Sequence, residues 1–458
     1  MKRTKVLVTV GPACMDEKSL KRMFKAGMNA VRINSAHGSI SEYDEIISNV
    51  RKVADIPIIF DVKGPEIRIQ SPEDETVKRG QVLDVGFKKG SARYFNRSFY
   101  KDVSVGDTVF LSDGLIKTKI VEKVSGKVKL KVVIGGFLRK NKGVNIPGKH
   151  LHFNVLTPWD KEVISYAKKM DIDFIALSFT RTERDVKALK KILGSTEIGI
   201  ISKIESRESL DHLPAIVDAS DGIMVARGDL GVEVPSERLP IIQKQLICGC
   251  NRAGKFVVVA TEMLKSMIWE VRPTRAETND VANAILDGAD GVMLSDETAI
   301  GKYPVEAVRE MTRIAREVEP HIQHKQLVSG ALSVDESIAN AVHKICERLP
   351  ITKVVTLTRS GYTARMISRY RMNKRIIAVT DSAKVKKKLE LVYGVHPVLY
   401  THQKDRKIPY YATFLHDQGL VSKKDLVLFT AAINTKKAHI TNMIQIHKIR
   451  DLLEYMAE

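Results

Sequence analysis

The sequence predicts an α/β chain: a parallel (β/α)8 TIM barrel, interrupted by a small all-β unit and followed by a smaller α/β unit. Three observations predict it. Eight strand-length apolar runs alternate with eight amphipathic helix-length segments. One interval breaks that rhythm with short β-branched runs and glycines. A second strand and helix alternation begins after about Gln323. The 458 residues suit roughly three domains of ~150 residues.

The barrel strands are expected at Val6–Val10, Ala30–Ile33, Ile56–Phe60, Phe174–Leu177, Ile198–Ile201, Gly222–Val225, Phe256–Ala260 and Gly291–Leu294. Between them, apolar residues at helical spacing predict helices over Ser19–Ala26, Ser41–Val53, Lys161–Lys169, Glu183–Leu193, Leu210–Ala219, Leu239–Ala253, Thr278–Leu286 and Pro304–Glu317. From Gly64 to about Phe153 the runs Gln81–Gly86, Thr108–Leu111, Ile116–Val121 and Lys127–Val133 alternate with glycines, and no helix is evident. An all-β insertion after the third strand, on the side where barrel sites form, would make a lid. The last unit reads as strands Val354–Leu357, Ile376–Val379, Val398–Tyr400 and Leu426–Phe429, with helices Ser337–Arg348, Thr363–Arg369 and Ala383–Leu389. The expected division is a barrel of residues 1–64 and 154–323, a lid of 65–153 and a C-terminal unit of 324–458.

Composition narrows the function classes. An apolar content of 44% supports well-buried cores and excludes global disorder. No apolar run reaches the ~18 residues of a membrane span, so no membrane partner is expected. Gly11-Pro12 cuts short the apolar run near the start, which argues against a signal peptide. Four scattered cysteines (Cys14, Cys248, Cys250, Cys346) fit a reducing, cytoplasmic setting. The net charge of +20 is spread along the chain and aromatics are only 6%, so nucleic acid is not an expected partner. A basic enzyme that draws in phosphorylated anions explains the charge better.

Charged and hydroxyl residues gather just after the strands. Strand two offers Arg32, Asn34 and His37. Strand three offers Asp61, Lys63 and then Arg68. Strand four offers Ser178 and Arg181, strand five Lys203 and Glu205, and strand six Arg227 and Asp229. Strands seven and eight end in Thr261-Glu262 and Ser295-Asp296-Glu297-Thr298. Glu205 and Asp229 could hold a divalent metal, and Lys203 a phosphoryl group, which is the equipment of phosphoryl transfer.

The ordered motifs T-V-G-P-A, R-I-N-S-A-H-G, D-V-K-G-P-E-I-R, K-G-V-N-I-P-G, S-K-I-E-S, A-R-G-D-L-G, A-T-E-M-L-K-S-M, P-T-R-A-E and L-S-D-E-T-A run from Thr9 to Ala299. Together they resemble pyruvate kinase, whose barrel, lid and α/β layout matches; no counterpart of the family's extra N-terminal segment is expected. The resemblance implies transfer of the phosphoryl group of phosphoenolpyruvate to ADP, giving pyruvate and ATP in the last step of glycolysis. It implies that Glu205 and Asp229 ligate Mg²⁺ (or Mn²⁺) and that Lys203 and Arg32 contact the phosphoryl group. Amides at Gly228 and Asp229 would receive the substrate carboxylate. Thr261 would lie near the substrate and, with Ser295 and Glu297, hold the water chain that protonates the enolate; the proton donor itself is left open. Pro12, Asn34 and His37 would lie on the nucleotide side, with Arg68 reaching its phosphates and Lys142 closing from the lid beside Asp113. A homotetramer is implied in the same way.

Departures from the family set further expectations. Its monovalent-cation site would use Asn34, Asp61 and the Val62 carbonyl, but Ala36 replaces a serine ligand and Ser35 a phenylalanine. Glu66 is the residue type that accompanies K⁺ dependence, so K⁺ is placed in doubt and a weakened requirement is expected. Glu262, Lys265 and Asp296 replace Gln, Glu and Gly; Asp296 would alter a turn that glycine makes easily. Thr358, Ser360, Gly361 and Thr363 resemble the loop that holds an effector phosphate. N-T-K-K-A-H-I stands where a glycine-rich second loop completes that site, so binding in the usual fructose 1,6-bisphosphate manner is not expected. The alternative reading is a catalytically weak relative that binds phosphometabolites as a regulator.

Overall fold

The computed structural model describes residues 2–170, 172–323, 333–401, 407–432 and 441–457. Eight parallel strands close a barrel: Lys5–Val10, Ala30–Asn34, Ile58–Val62, Phe174–Leu177, Gly199–Ile204, Gly222–Ala226, Phe256–Ala260 and Gly291–Leu294. Each overlaps an expected run. Strands covered on both faces need apolar side chains at consecutive positions, so their runs are continuous and easily seen. All eight expected helices are present, although the span Leu210–Ala219 divides at His212 into Arg207–Asp211 and Leu213–Ala219. Pro214 explains the break, since its missing N–H suits a helix start and not an interior.

Alternate residues fill the barrel. Leu7, Ala30, Ile59, Phe174, Ile201, Met224, Phe256 and Met293 are all buried, and the Phe174 and Phe256 rings meet edge to face at 5.6 Å. Gly199 and Gly222 make room for them, because a Cβ would come within 2.5 Å of the Phe174 ring and 2.3 Å of the Phe256 ring. Side chains on a strand alternate with period two. The same inward-facing set that supplies Leu7, Ala30, Ile59 and Ile201 therefore continues into Thr9, Arg32, Asp61 and Lys203. The site is the upper layer of the core.

Seven strands between Arg68 and Asn145 close a second barrel around its own core, which includes Ile69, Leu83, Phe95, Val109 and Leu130. The four expected strands are there. Arg68–Gln70, Tyr94–Phe95 and Lys142–Asn145, which complete this barrel, and the separate pair Glu75–Val77 and Gly136–Leu138 were not expected. The C-terminal unit is a five-stranded sheet in the order Val395–Leu399, Arg375–Thr380, Lys353–Leu357, Leu426–Ala431, Met443–Lys448. The first four strands are parallel and the last pairs antiparallel. The strand expected at Val398–Tyr400 starts three residues earlier and contains Pro397, which an edge strand tolerates. This unit is fastened to the N-terminal end of the barrel. Arg371 bridges the Gly288 carbonyl and Asp290, and Lys5 Nζ donates to the Val395 carbonyl at 2.8 Å. Among the described residues, no helix is long and apolar enough to cross a membrane.

Candidate active site

The ends of strands two to five meet in a chain of charges. Arg32 donates from Nε to Asp61 Oδ2 at 2.7 Å and from Nη1 to Thr9 Oγ1 at 3.1 Å. Ser178 Oγ donates to Asp61 Oδ1 at 3.0 Å. Lys203 Nζ donates to Ser178 Oγ at 2.9 Å and lies 3.4 Å from Asp61 and 2.7 Å from Glu205. Burial pulls the Lys203 pKa down, but the charges of Asp61 and Glu205 more than reverse this, and the net shift is upward. Burial raises the Asp61 pKa, while Lys203 and Arg32 carry it below the usual carboxylate value. Both groups are therefore held in their charged forms at neutral pH. A cation set rigidly in a nearly dry site interacts strongly with any negative charge brought to it.

Glu205 and Asp229 form the other half. Glu205 Oε2 accepts the Phe179 amide at 2.6 Å. Its Oε1 is buried and takes no hydrogen bond, although the Lys203 ammonium stands 2.7 Å away, so that contact is an ion pair without hydrogen-bond alignment. Asp229 lies in the first turn of the helix Arg227–Glu233. Burial first, then the charge of Glu205, pushes its pKa up to about 7. The charges of two carboxylates close enough to raise one pKa would be relieved by a divalent cation between them. Among the described residues there is no group of three or more His, Cys, Asp or Glu that could enclose a metal. Two carboxylates with open positions suit Mg²⁺, which keeps its other ligands for water and substrate oxygens.

The exits of strands six to eight are braced by backbone contacts. Thr261 and Glu262 adopt φ of 68° and 55°. That turn brings the Thr261 hydroxyl to accept the Gly228 amide at 2.8 Å while donating to the Ala260 carbonyl at 2.6 Å. The Gly228 amide, expected to receive a carboxylate, is thus engaged by Thr261. Glu297 also departs from expectation. Its oxygens accept the Ser295 amide at 2.7 Å and the Leu264 amide at 3.1 Å, and the residue is 2% exposed. It ties the loop after strand seven to the turn after strand eight. Asp296 is exposed at the start of the short helix Asp296–Ala299 and is not among the positive-φ residues, so replacing glycine there imposes no backbone strain. Glu262 and Lys265 pair with each other at 2.5 Å on the surface.

The all-β unit leans over this end of the barrel. Arg181 Nη1 donates to the Leu151 carbonyl at 2.8 Å, and His150 lies 3.1 Å from Glu208. Sequence reasoning missed Glu233, at the far end of the Asp229 helix, which lies close enough to Gly148, Asn145 and Arg207 for their polar groups to lower its pKa in part. Burial pushes its pKa up to about 7. Nothing in the surrounding V-E-V-P sequence announces that contact. Arg68 pairs with Glu66 at 2.8 Å and reaches the Asn141 carbonyl, while Lys142 faces Asp113 at 3.5 Å. The negative charges of Glu66 and Asp113 add a smaller upward push to the Asp229 pKa.

Residues 1–308 match the family model described as pyruvate kinase, barrel domain, and residues 336–447 the model described as pyruvate kinase, alpha/beta domain. The chain belongs to the pyruvate kinase family. It is 39% identical to a pyruvate kinase of Bacillus licheniformis over 99% of this chain and 81% of that protein. It is 40% identical to one of Staphylococcus epidermidis over 98% of this chain and 81% of that protein. Among solved structures, a pyruvate kinase from Cryptosporidium parvum superposes with a TM-score of 0.91 at 33% identity, covering 98% of this chain and 96% of that one.

The donors expected for a monovalent cation fit poorly. Asp61 is engaged by Arg32, Ser178 and Lys203, and Ala36 supplies no oxygen. Asn34 Oδ1 already accepts the Ala36 amide at 3.2 Å, and the Ser35 hydroxyl is buried and donates to the Asp61 carbonyl at 2.8 Å. Beyond Asn34 Oδ1, only the Val62 carbonyl is left of the expected set. Pro12 and His37 are exposed at the rim. In the C-terminal unit Thr358, Ser360, Gly361 and Thr363 do come together after the strand Lys353–Leu357. Thr358 Oγ1 accepts the Gly361 amide at 2.9 Å, and Thr363 Oγ1 bonds Thr441 Oγ1 at 2.6 Å. The N-T-K-K-A-H-I segment lies outside the described residues.

Proposed function

We propose that this pyruvate-kinase-family enzyme transfers the phosphoryl group of phosphoenolpyruvate to ADP, giving pyruvate and ATP. The observation that carries the reading is Lys203: a permanently charged ammonium pinned between Asp61, Ser178 and Glu205, beside a carboxylate pair suited to Mg²⁺. Glu205 and Asp229 would hold that Mg²⁺ (or Mn²⁺), which when bound neutralises charge on the carboxylate and phosphoryl oxygens of the substrate. Lys203 and Arg32 contact the transferring group from opposite walls and stabilise its charge. Thr261 and Ser295 face the enolate side. The Asp229 amide takes the carboxylate role, because Gly228 is bonded to Thr261.

ADP sits between the rim residues Pro12, Asn34 and His37 and the cluster of Arg68 and Lys142, and the all-β unit of residues 65–153 closes over it as a lid. The poor donor set at Ala36 supports a weakened K⁺ requirement. A phosphorylated effector would use Thr358, Ser360, Gly361 and Thr363 in a manner unlike the usual sugar bisphosphate. We place the enzyme in the cytoplasm as a homotetramer on family resemblance. The unstrained position of Asp296 removes one of the two reasons for a catalytically weak regulator.

The test is ATP formation from phosphoenolpyruvate and ADP with saturating Mg²⁺, with and without K⁺. Robust turnover in both conditions is expected. Folded protein with no turnover in either condition would overturn the reading.

A further inference from the structure

Arg227 follows strand six but does not act as a free cation at the mouth of the barrel. It is 9% exposed and reaches sideways to the loop after strand seven. Its Nη2 donates to the Thr261 carbonyl at 2.7 Å and contacts Met263 Sδ at 2.9 Å, and its Nε approaches the Ala260 carbonyl at 3.4 Å. From the other side Nη1 donates to Asp280 Oδ1 at 2.6 Å and to Gln243 Oε1 at 3.3 Å. One guanidinium thus joins the exits of strands six and seven to the helices Leu239–Ala253 and Arg275–Leu286.

The loop it holds needs holding. Thr261 and Glu262 are consecutive non-glycine residues in the left-handed region, and a β-branched residue is especially disfavoured there. Such a conformation persists only where surrounding contacts impose it. Here the carbonyls of Ala260 and Thr261, on either side of the first left-handed residue, both point to Arg227. The outcome of that turn is the Thr261 hydroxyl seated against the Gly228 amide, next in sequence to Arg227 itself.

We infer that Arg227 is a positioning residue for the enolate side of the reaction: it imposes the left-handed turn that sets Thr261 against Gly228. The inference rests on the proposed reading of Thr261 as a substrate neighbour. A planar fork reaches two successive carbonyls and a carboxylate at once. A lysine ammonium in the same place keeps the charge but loses that geometry.

The test compares wild type, R227K, T261A and the double variant R227K/T261A. Four quantities are read: kcat and KM for both substrates, exchange of the pyruvate methyl protons with deuterium by NMR, Mn²⁺ binding, and melting temperature. R227K is expected to lower kcat and methyl exchange about a hundredfold, as a misplacement of about 1 Å at the reacting centre does. KM for ADP and Mn²⁺ binding should stay within about twofold of wild type, because neither depends on the Thr261 turn. In the T261A background R227K should have little further effect, since its role is exercised through Thr261. Effects that multiply independently, or a loss of Mn²⁺ binding that parallels the loss of rate, would overturn the inference. Should R227K fail to fold, D280N loosens the same guanidinium from outside the site and enters the same cycle with T261A, with the same criteria. Absence of turnover in the wild type would instead count against the proposed function, so the two failures are distinguishable.

Discussion

Replacing Asp229 by Asn should abolish a proton release that accompanies Mg²⁺ binding. In the metal-free protein burial and the Glu205 charge raise the Asp229 pKa from 3.8 to about 7. Metal binding requires the carboxylate and displaces the proton. With that pKa, about 0.9 proton should be released per Mg²⁺ at pH 6 and about 0.1 at pH 8, and Mg²⁺ affinity should fall about fivefold from pH 7 to pH 6. Calorimetric titration with Mg²⁺ in buffers of different ionisation enthalpy reads the number directly. The same shift makes a stability statement. The folded chain keeps this proton in a range where the unfolded chain has lost it, so metal-free stability falls as pH rises from about 4 to about 7 and levels above that. Between pH 5 and pH 8 the contribution is about 2 kcal/mol, taking ~1.4 kcal/mol per unit and allowing for partial solvent access to the side chain. D229N should be flatter with pH by that amount in EDTA, and Mg²⁺ should stabilise it less than wild type. A D229N protein that still releases a proton at pH 6, or gains as much stability from Mg²⁺, would refute the placement of Asp229 opposite Glu205.

Three other outcomes follow from the same geometry. K203M should lower turnover by about 10³-fold or more and cost roughly 3–5 kcal/mol, because Asp61 and Glu205 lose their shared cation in a buried setting; a coupled assay and a denaturation curve check the two parts. A36S adds one oxygen beside Asn34 and should raise apparent K⁺ affinity about tenfold, read from initial rates against KCl at constant ionic strength; an unchanged curve would show that Ala36 is not the missing ligand. K142A should raise KM for ADP about tenfold to a hundredfold, the worth of one charged hydrogen bond, and leave KM for phosphoenolpyruvate unchanged; equal changes in both would place Lys142 elsewhere.

The parts of this molecule that could be read from sequence are those in which one physical requirement dominates. Barrel strands are covered on both faces, so Phe256–Ala260 is apolar at every position and stands out. Arg32, Asp61 and Lys203 could be placed because period two carries the inward face of a strand straight up into the site. The edge strand Met443–Lys448 was missed because both its faces are only partly covered, and its apolar and polar residues give no clear run. The missed lid strands Arg68–Gln70, Tyr94–Phe95 and Lys142–Asn145 are short and carry mostly polar or glycine positions or only two residues, so no apolar run marks them. Within the site, the failures share one cause. A glutamate that accepts two backbone amides looks like any other glutamate in a sequence, and only the positions of Leu264 and Ser295 show that Glu297 makes those contacts. Arg227 shows the limit most clearly. Its position after strand six suggests a cation facing substrate, yet it reaches sideways to the left-handed turn at Thr261 and Glu262, which no glycine or asparagine marks. Such a turn is imposed from outside by tertiary contacts. The residues that impose it come from three other helices, so its cause is distributed over Arg227, Gln243 and Asp280 and is written in no single stretch of the chain.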